Sequence, residues 1–184
     1  MRPPFASMFL LKLFLLSLLS ITTNAKLTKP VTNKLLSEIC PKTKSPKQCL
    51  NILGSYPKTR LASSLHDLGF DSLTLAISRA KKSANVFNGI LLKGQDLPQK
   101  QKDIYKECRQ DYVVAMKSLG EAKTAWNEKK YPLVIKTIDA ANQVPISCEK
   151  SLVGAPNVQA KRANEMSSLI FDIARVVAKD MEGK

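Results

Sequence analysis

The sequence predicts an all-α fold: a four-helix up-down bundle preceded by an N-terminal helical hairpin and fastened by two disulfides. Three observations predict it. Apolar residues recur with a period near 3.6 in nearly every long segment, and sustained period-2 alternation occurs in none. Breaks containing glycine or proline divide that pattern into short helices followed by four long ones. The four cysteines read as two pairs, Cys40 with Cys49 and Cys108 with Cys148. An even count with none left over points to structural bridges in an oxidising compartment rather than to a reactive thiol.

An oxidising compartment requires an export route, and the first residues supply one. Arg2 gives a positive start, residues 9–21 form a Leu/Phe-rich run broken by Lys12 and a few serines, and Thr23, Asn24 and Ala25 close it. This is a signal-peptide pattern. The run is shorter than the ~20 residues that span a bilayer, and no later segment approaches that length, so no membrane segment is expected in the mature form. The expected division is residues 1–25 as signal peptide and 26–184 as one domain, with the hairpin over 30–56 and the bundle over 60–182. Removing 25 residues from 184 leaves 159, enough for a single core.

The whole chain carries a net charge of +14, and loss of Arg2 and Lys12 with the leader takes that to +12. A charge of this size favours acidic partners. The basic residues are scattered through helical segments without a Lys/Arg block or interleaved aromatics. Together with secretion, that argues against nucleic acid and for an acidic polysaccharide or an acidic protein cleft. No Asn-x-Ser/Thr site occurs, so N-glycosylation is not expected.

The elements follow in order. Val31, Leu35, Leu36 and Ile39 share one face of a short helix ended by Pro41. Ser45 and Pro46 read as N-cap and first residue of a second short helix, with Cys49, Leu50 and Leu53 facing inward, closed by residues 54–57. A long helix then carries Leu61, Leu65, Leu68, Leu73, Ala76, Ile77, Ala80, Ala84, Phe87 and Leu91. Gly69 and Gly89 each weaken it by about 1 kcal/mol relative to alanine, a cost that close helix approach would explain. Residues 93–96 make a break, and Leu97 and Pro98 restart the chain. In the next helix Ile104, Cys108, Tyr112, Ala115, Leu119, Ala122 and Trp126 form the inner stripe. Tyr131 and Pro132 interrupt, and Val134, Ile135, Ile138 and Ala141 begin a third long helix that Pro145 breaks or kinks. Residues 154–156 form a loop, and Ala163, Met166, Ile170, Ile173, Val177 and Met181 line the last helix. Antiparallel neighbours would bring Cys108 to Cys148, although four cysteines allow three connectivities.

Catalytic machinery is absent from the pattern. His66 is the single histidine and reads as a surface or capping residue. The Cys40/Cys49 spacing does not suit zinc, phosphate-binding glycine loops are missing, and no acid pair is singled out by spacing. No cofactor and no metal are expected, and the residues read as a stapled helical binding module rather than an enzyme.

The run from Leu35 to Thr43 (LLSEICPKT), followed by Pro46, Cys49 and Leu50, resembles the opening of the plant pectin methylesterase inhibitor and invertase inhibitor family. Cys108 with Tyr112, the run from Ser118 to Ala122, and Ser147-Cys148-Glu149 continue the resemblance, which covers residues 31–180. The resemblance implies a bundle with an N-terminal hairpin, disulfides joining first to second and third to fourth cysteine, and inhibition of one of two enzymes. Methylesterase inhibitors of the family cover the pectin-binding cleft in a one-to-one complex. An acidic contact residue two positions after their third cysteine corresponds to Gln110 here, the family threonine before the fourth cysteine to Ser147, and Tyr112 matches. Invertase inhibitors use a Pro-Lys-Phe segment, which would fall at Lys129, Lys130 and Tyr131, with Pro132 following instead of preceding. The expectation is therefore a secreted, non-covalent inhibitor of pectin methylesterase acting in the apoplast or cell wall. Its target-binding residues would be Gln110, Tyr112, Ser147, Lys129, Lys130 and Tyr131, with possible ionic retention on acidic pectin. Inhibition of acid invertase is one alternative, and a non-inhibitory basic wall-associated protein is another.

Overall fold

A computed structural model describes residues 32–184, and the signal-peptide reading and Val31 lie outside them. Seven α-helices are present among the described residues: α1 (Thr32–Ile39), α2 (Pro46–Ser55), α3 (Pro57–Arg60), α4 (Leu65–Lys93), α5 (Gln99–Asn127), α6 (Tyr131–Leu152) and α7 (Val158–Glu182). A 3-10 turn at Cys40–Lys42 follows α1 and contains Pro41.

Helices α4 to α7 form the bundle, in which α4 packs on α5 and α7, and α6 packs on α5 and α7. The pairings run antiparallel. Trp126 reaches His66 while Arg109 reaches Asn88 across α4 and α5. Asn164 reaches Pro145 while Arg175 reaches Asp139 across α6 and α7. In each pair one residue number rises as the other falls. The helix starts have specific chemistry. Ser64 caps α4 by accepting from the Asp67 N–H at 3.0 Å, and Asn157 caps α7 by accepting from Gln159 and Ala160 N–H groups, satisfying donors that the helix leaves orphaned. Hydrogen bonds from Ser63 and Ser64 hold the Asp67 carboxyl below the usual carboxylate range.

Most of the expected inner stripe is the observed core. Leu68, Leu73, Ala76, Ala80, Phe87, Cys108, Ala115, Leu119, Ala122, Trp126, Val134, Ile138, Ile173 and Val177 are all buried. The differences have local causes. Leu61 precedes α4 and is exposed, and its neighbour Ala62 takes the buried place. Leu50 and Met166, expected inside, lie on outward faces. Tyr105 replaces Ile104 at the inner position because its hydroxyl finds the Ala155 carbonyl at 3.0 Å. Pro145 does not break α6, which continues to Leu152. The proline is buried, and its carbonyl accepts from Asn164 Nδ2 at 2.8 Å. Gly69 meets the expectation of close approach, since a Cβ there would lie 2.1 Å from the Trp126 ring. Gly89 does not, since nothing lies within 4 Å of a Cβ at that position.

The hairpin is α1, the 3-10 turn and α2, closed by the Cys40–Cys49 bridge with a Cα–Cα distance of 5.4 Å. Leu35, Leu36, Ile39 and Leu53 are its buried apolar residues. It packs on α7, where the Lys44 N–H donates to Asp172 at 3.0 Å and Lys42 pairs with Asp180. Among the described residues no helix is long and apolar enough to cross a membrane.

Candidate docking face on the α5–α6 pair

Helices α5 and α6 are joined by the Cys108–Cys148 bridge, with a Cα–Cα distance of 5.5 Å. Gln110 stands two residues beyond Cys108 and Ser147 one residue before Cys148, and both are exposed. Chain geometry limits their Cα atoms to a separation of about 15 Å. The disulfide therefore fixes these two positions relative to each other through the backbone. Ser147 Oγ donates to the Val144 carbonyl at 3.3 Å.

Tyr112 does not belong to this face. It is fully buried, stacked on Phe87 with ring centroids 5.7 Å apart, and its hydroxyl donates to Asn164 Oδ1 at 2.8 Å. Asn164 in turn donates to the Pro145 carbonyl. Tyr112 thus links side chains of α4 and α7 to its own helix, and α6 through Asn164. Burial raises its phenol far above the ordinary range. The expectation that Tyr112 touches a partner is corrected, because a side chain with no solvent exposure makes no contact across a surface.

The turn between α5 and α6 holds the other three predicted residues. Lys130 N–H bonds to the Ala125 carbonyl and Lys129 N–H to that of Trp126, at 2.9 and 3.0 Å. This is the double bond of a Schellman stop. Its left-handed position falls on Lys129, with φ of 57°, where glycine is the usual occupant. Lys129 and Lys130 are exposed, and Lys130 Nζ pairs with Glu128 at 2.7 Å. Tyr131 is half-buried, edge-on to Trp126 with ring centroids 5.3 Å apart. The turn lies about 28 Å along α5 from Gln110, so the two groups of predicted residues stand well apart on one helix pair.

The inner-stripe reading passed over the apolar residues that decorate this face. Val113 and Val114 are 56% and 61% exposed three and four residues after Gln110, Ile146 precedes Ser147, and Leu133 follows Tyr131 and Pro132. The signal was available as apolar residues out of phase with the buried stripe. Near them, burial is the first cause that raises the Asp111 carboxyl, and the neighbouring Glu107 charge adds to it. Polar groups at Gln110 and Ser147 beside exposed valines and an isoleucine give the mixture of hydrogen-bonding and apolar patches typical of protein interfaces.

His66 is half-buried with its ring 5.4 Å from that of Trp126, whose Nε1 donates to the His66 carbonyl at 3.1 Å. Among the described residues no group of three His, Cys, Asp or Glu side chains is placed to hold a metal ion.

The family model described as "Plant invertase/pectin methylesterase inhibitor" matches residues 34–177. A pectinesterase inhibitor from Actinidia deliciosa is 32% identical over 153 residues, covering 82% of this chain and 81% of that protein. Two crystal structures share the fold. A mutant form of a pectin methylesterase inhibitor from Arabidopsis superposes with a TM-score of 0.70 at 22% identity, covering 78% of this chain and 95% of that one. A pectin methylesterase inhibitor from Arabidopsis thaliana superposes with a TM-score of 0.59 at 21% identity, covering 79% and 95%.

Proposed function

The chain belongs to the plant invertase/pectin methylesterase inhibitor family, and on that premise we propose that it is a secreted protein inhibitor of pectin methylesterase, acting in the apoplast or cell wall. The observation that carries this reading is the 32% identity to the Actinidia deliciosa pectinesterase inhibitor across four-fifths of both chains. In the mechanism we propose, the outer face of the α5–α6 pair docks rigidly over the enzyme's pectin-binding cleft in a one-to-one complex. Gln110 and Ser147 supply hydrogen bonds, and Val113, Val114 and Ile146 supply apolar contact. A standard interface buries about 1,600 Å² in total, which corresponds to a patch roughly 28 Å across on each partner. Such a patch reaches from Gln110 toward the Lys129–Lys130–Tyr131 turn. No bond is made or broken, and inhibition follows from occupying the space the polysaccharide needs.

The test mixes the mature protein with pectin methylesterase and, separately, with cell-wall and vacuolar invertase, from acidic to neutral pH. Methylesterase activity is expected to fall and invertase activity to persist. Val114→Asp, which sets a charge into the proposed dry contact, is expected to weaken methylesterase inhibition by about thirtyfold or more while leaving helicity unchanged. Loss of invertase activity with methylesterase untouched would replace this reading by the second one, carried by the exposed Lys130 beside Tyr131. Indifference of all these enzymes would favour a non-inhibitory basic wall protein.

A further inference from the structure

The opposite seam of the bundle holds a feature that the docking face does not use. A cavity of about 320 Å³ opens where α2 meets α4 and α7, lined by Gln48, Arg79, Arg162, Glu165, Met166 and Leu169. Arg79 Nη2 donates to the Ala163 carbonyl at 3.3 Å, while its Nε is buried without a partner. Among the described residues neither Arg79 nor Arg162 forms an ion pair, and Glu165 is paired instead with Lys161 at 3.9 Å. Burial pushes the Arg79 guanidinium below its ordinary range, and no carboxylate offsets it. A partly dehydrated guanidinium without a counterion favours a bound anion.

We propose that this cavity binds a single uronic-acid residue through its carboxylate. With Glu165 paired to Lys161, the two guanidinium groups leave the cavity net positive, which suits an anion. Guanidinium forks suit the planar, two-oxygen geometry of a carboxylate. The remaining walls suit the rest of a sugar acid. The Gln48 carboxamide and Glu165 offer a donor and acceptors for ring hydroxyls, and Met166 and Leu169 offer an apolar surface to its C–H face. The volume lies at the small end of the ~300–1,000 Å³ range of small-molecule sites, which fits one sugar ring. An acidic side chain of a partner protein would meet the arginines but carries no ring hydroxyls for Gln48 and Glu165. The site lies on a different seam from the docking face, so it stands or falls independently of methylesterase inhibition.

The experiment titrates galacturonic acid, its methyl ester and a galacturonate trimer into the mature protein, read by amide chemical shifts at low salt. Saturable shifts around Arg79 and Arg162 are expected with the acid, and binding at least tenfold weaker with the uncharged ester. Arg162→Ala should weaken acid binding about tenfold. Lys136→Ala, which removes the same charge from α6, should change it less than twofold. Monomer and trimer shifting the same amides would support an oligosaccharide end as the source, and monomer alone would support the free acid; both uphold the site. Equal binding of acid and ester, equal loss in the Arg162 and Lys136 variants, or the absence of saturable shifts would overturn the proposal. So would equal competition by an acidic peptide. The acid-against-ester comparison uses the unaltered protein, so it holds even if Arg162→Ala perturbs the fold.

Discussion

The two disulfides do different work in the two regions they join. Cys40–Cys49 spans nine positions around the 3-10 turn of the hairpin, where the buried apolar residues are few and the attachment to the bundle runs along α7. Cys108–Cys148 spans forty positions and lies between two long helices that already bury Tyr112, Ala115, Leu119, Val134, Ile138 and Ala141. In the hairpin the bridge substitutes for a core that is too small to form alone. In the α5–α6 pair it fixes the register of helices that pack anyway. Similar chemistry thus serves local folding in one region and the placement of a surface in the other.

Removing the bridges one at a time tests that contrast with the largest expected effects. In the chain-entropy account, Cys108→Ala with Cys148→Ala should lower stability by about 4 kcal/mol, and Cys40→Ala with Cys49→Ala by roughly 2.5 kcal/mol. Urea midpoints measure both. Hydrogen exchange separates them further. The second pair of substitutions should release hairpin amides while α5 and α6 stay protected, and the first should loosen the helix pair and weaken methylesterase inhibition. The contrast breaks if loss of the hairpin bridge lowers global stability as much as loss of the bundle bridge.

A smaller effect probes the polar joint of the bundle interior. Tyr112→Phe keeps the ring on Phe87 but leaves the buried Asn164 Oδ1 without its donor, an expected loss of about 1–2 kcal/mol. The pH dependence has a definite sign. The folded phenol is raised far above its ordinary value by burial, so its contribution is fully present below the ordinary tyrosine pKa of ~10 and fades as pH rises above it. The unfolded chain ionises first and is favoured. Tyr112→Phe should therefore show a shallower alkaline loss of urea stability than the parent. Because the residue is buried, inhibition at neutral pH should be unchanged. A large loss of inhibition with normal stability would return Tyr112 to the docking face.

The fold was legible because each long helix writes its buried face at a 3.6 spacing, and glycine or proline lies in the breaks at 94–98 and 153–157 and just past the one at 128–130. Ser45–Pro46, Gly94 and the loop before Asn157 mark ends that the structure keeps. Errors arose where position alone does not decide direction. Leu50 and Met166 fit the spacing but face out, and Pro145 continues its helix. The docking face was less legible. Periodicity placed Tyr112 on the inner stripe, where the structure keeps it, and only the family resemblance set it among the contact residues. The exposed valines at 113 and 114 stood out only as residues out of phase. The cavity on the α4–α7 seam was invisible in sequence, because it brings Gln48, Arg79 and Arg162 together from three distant segments.

The smallest expected effect concerns the connection between α5 and α6. Lys129 holds a left-handed backbone in the helix stop, a conformation that costs a residue with a Cβ about 1 kcal/mol or more. Lys129→Gly should raise stability by about 1 kcal/mol, read as a higher urea midpoint. Lys129→Ala should give no such gain, because it keeps the Cβ and removes only the charged chain. The pair of substitutions separates backbone strain from side-chain charge. Inhibition measured on both variants tells whether the Lys129 side chain also meets the enzyme: an equal loss in both assigns it a contact, and none confines it to the turn. The gain should appear as slower amide exchange at the end of α5 and the start of α6, with the hairpin unaffected. That would place the remaining strain of the helix pair in its turn, at the far end from the disulfide that fixes Gln110 and Ser147.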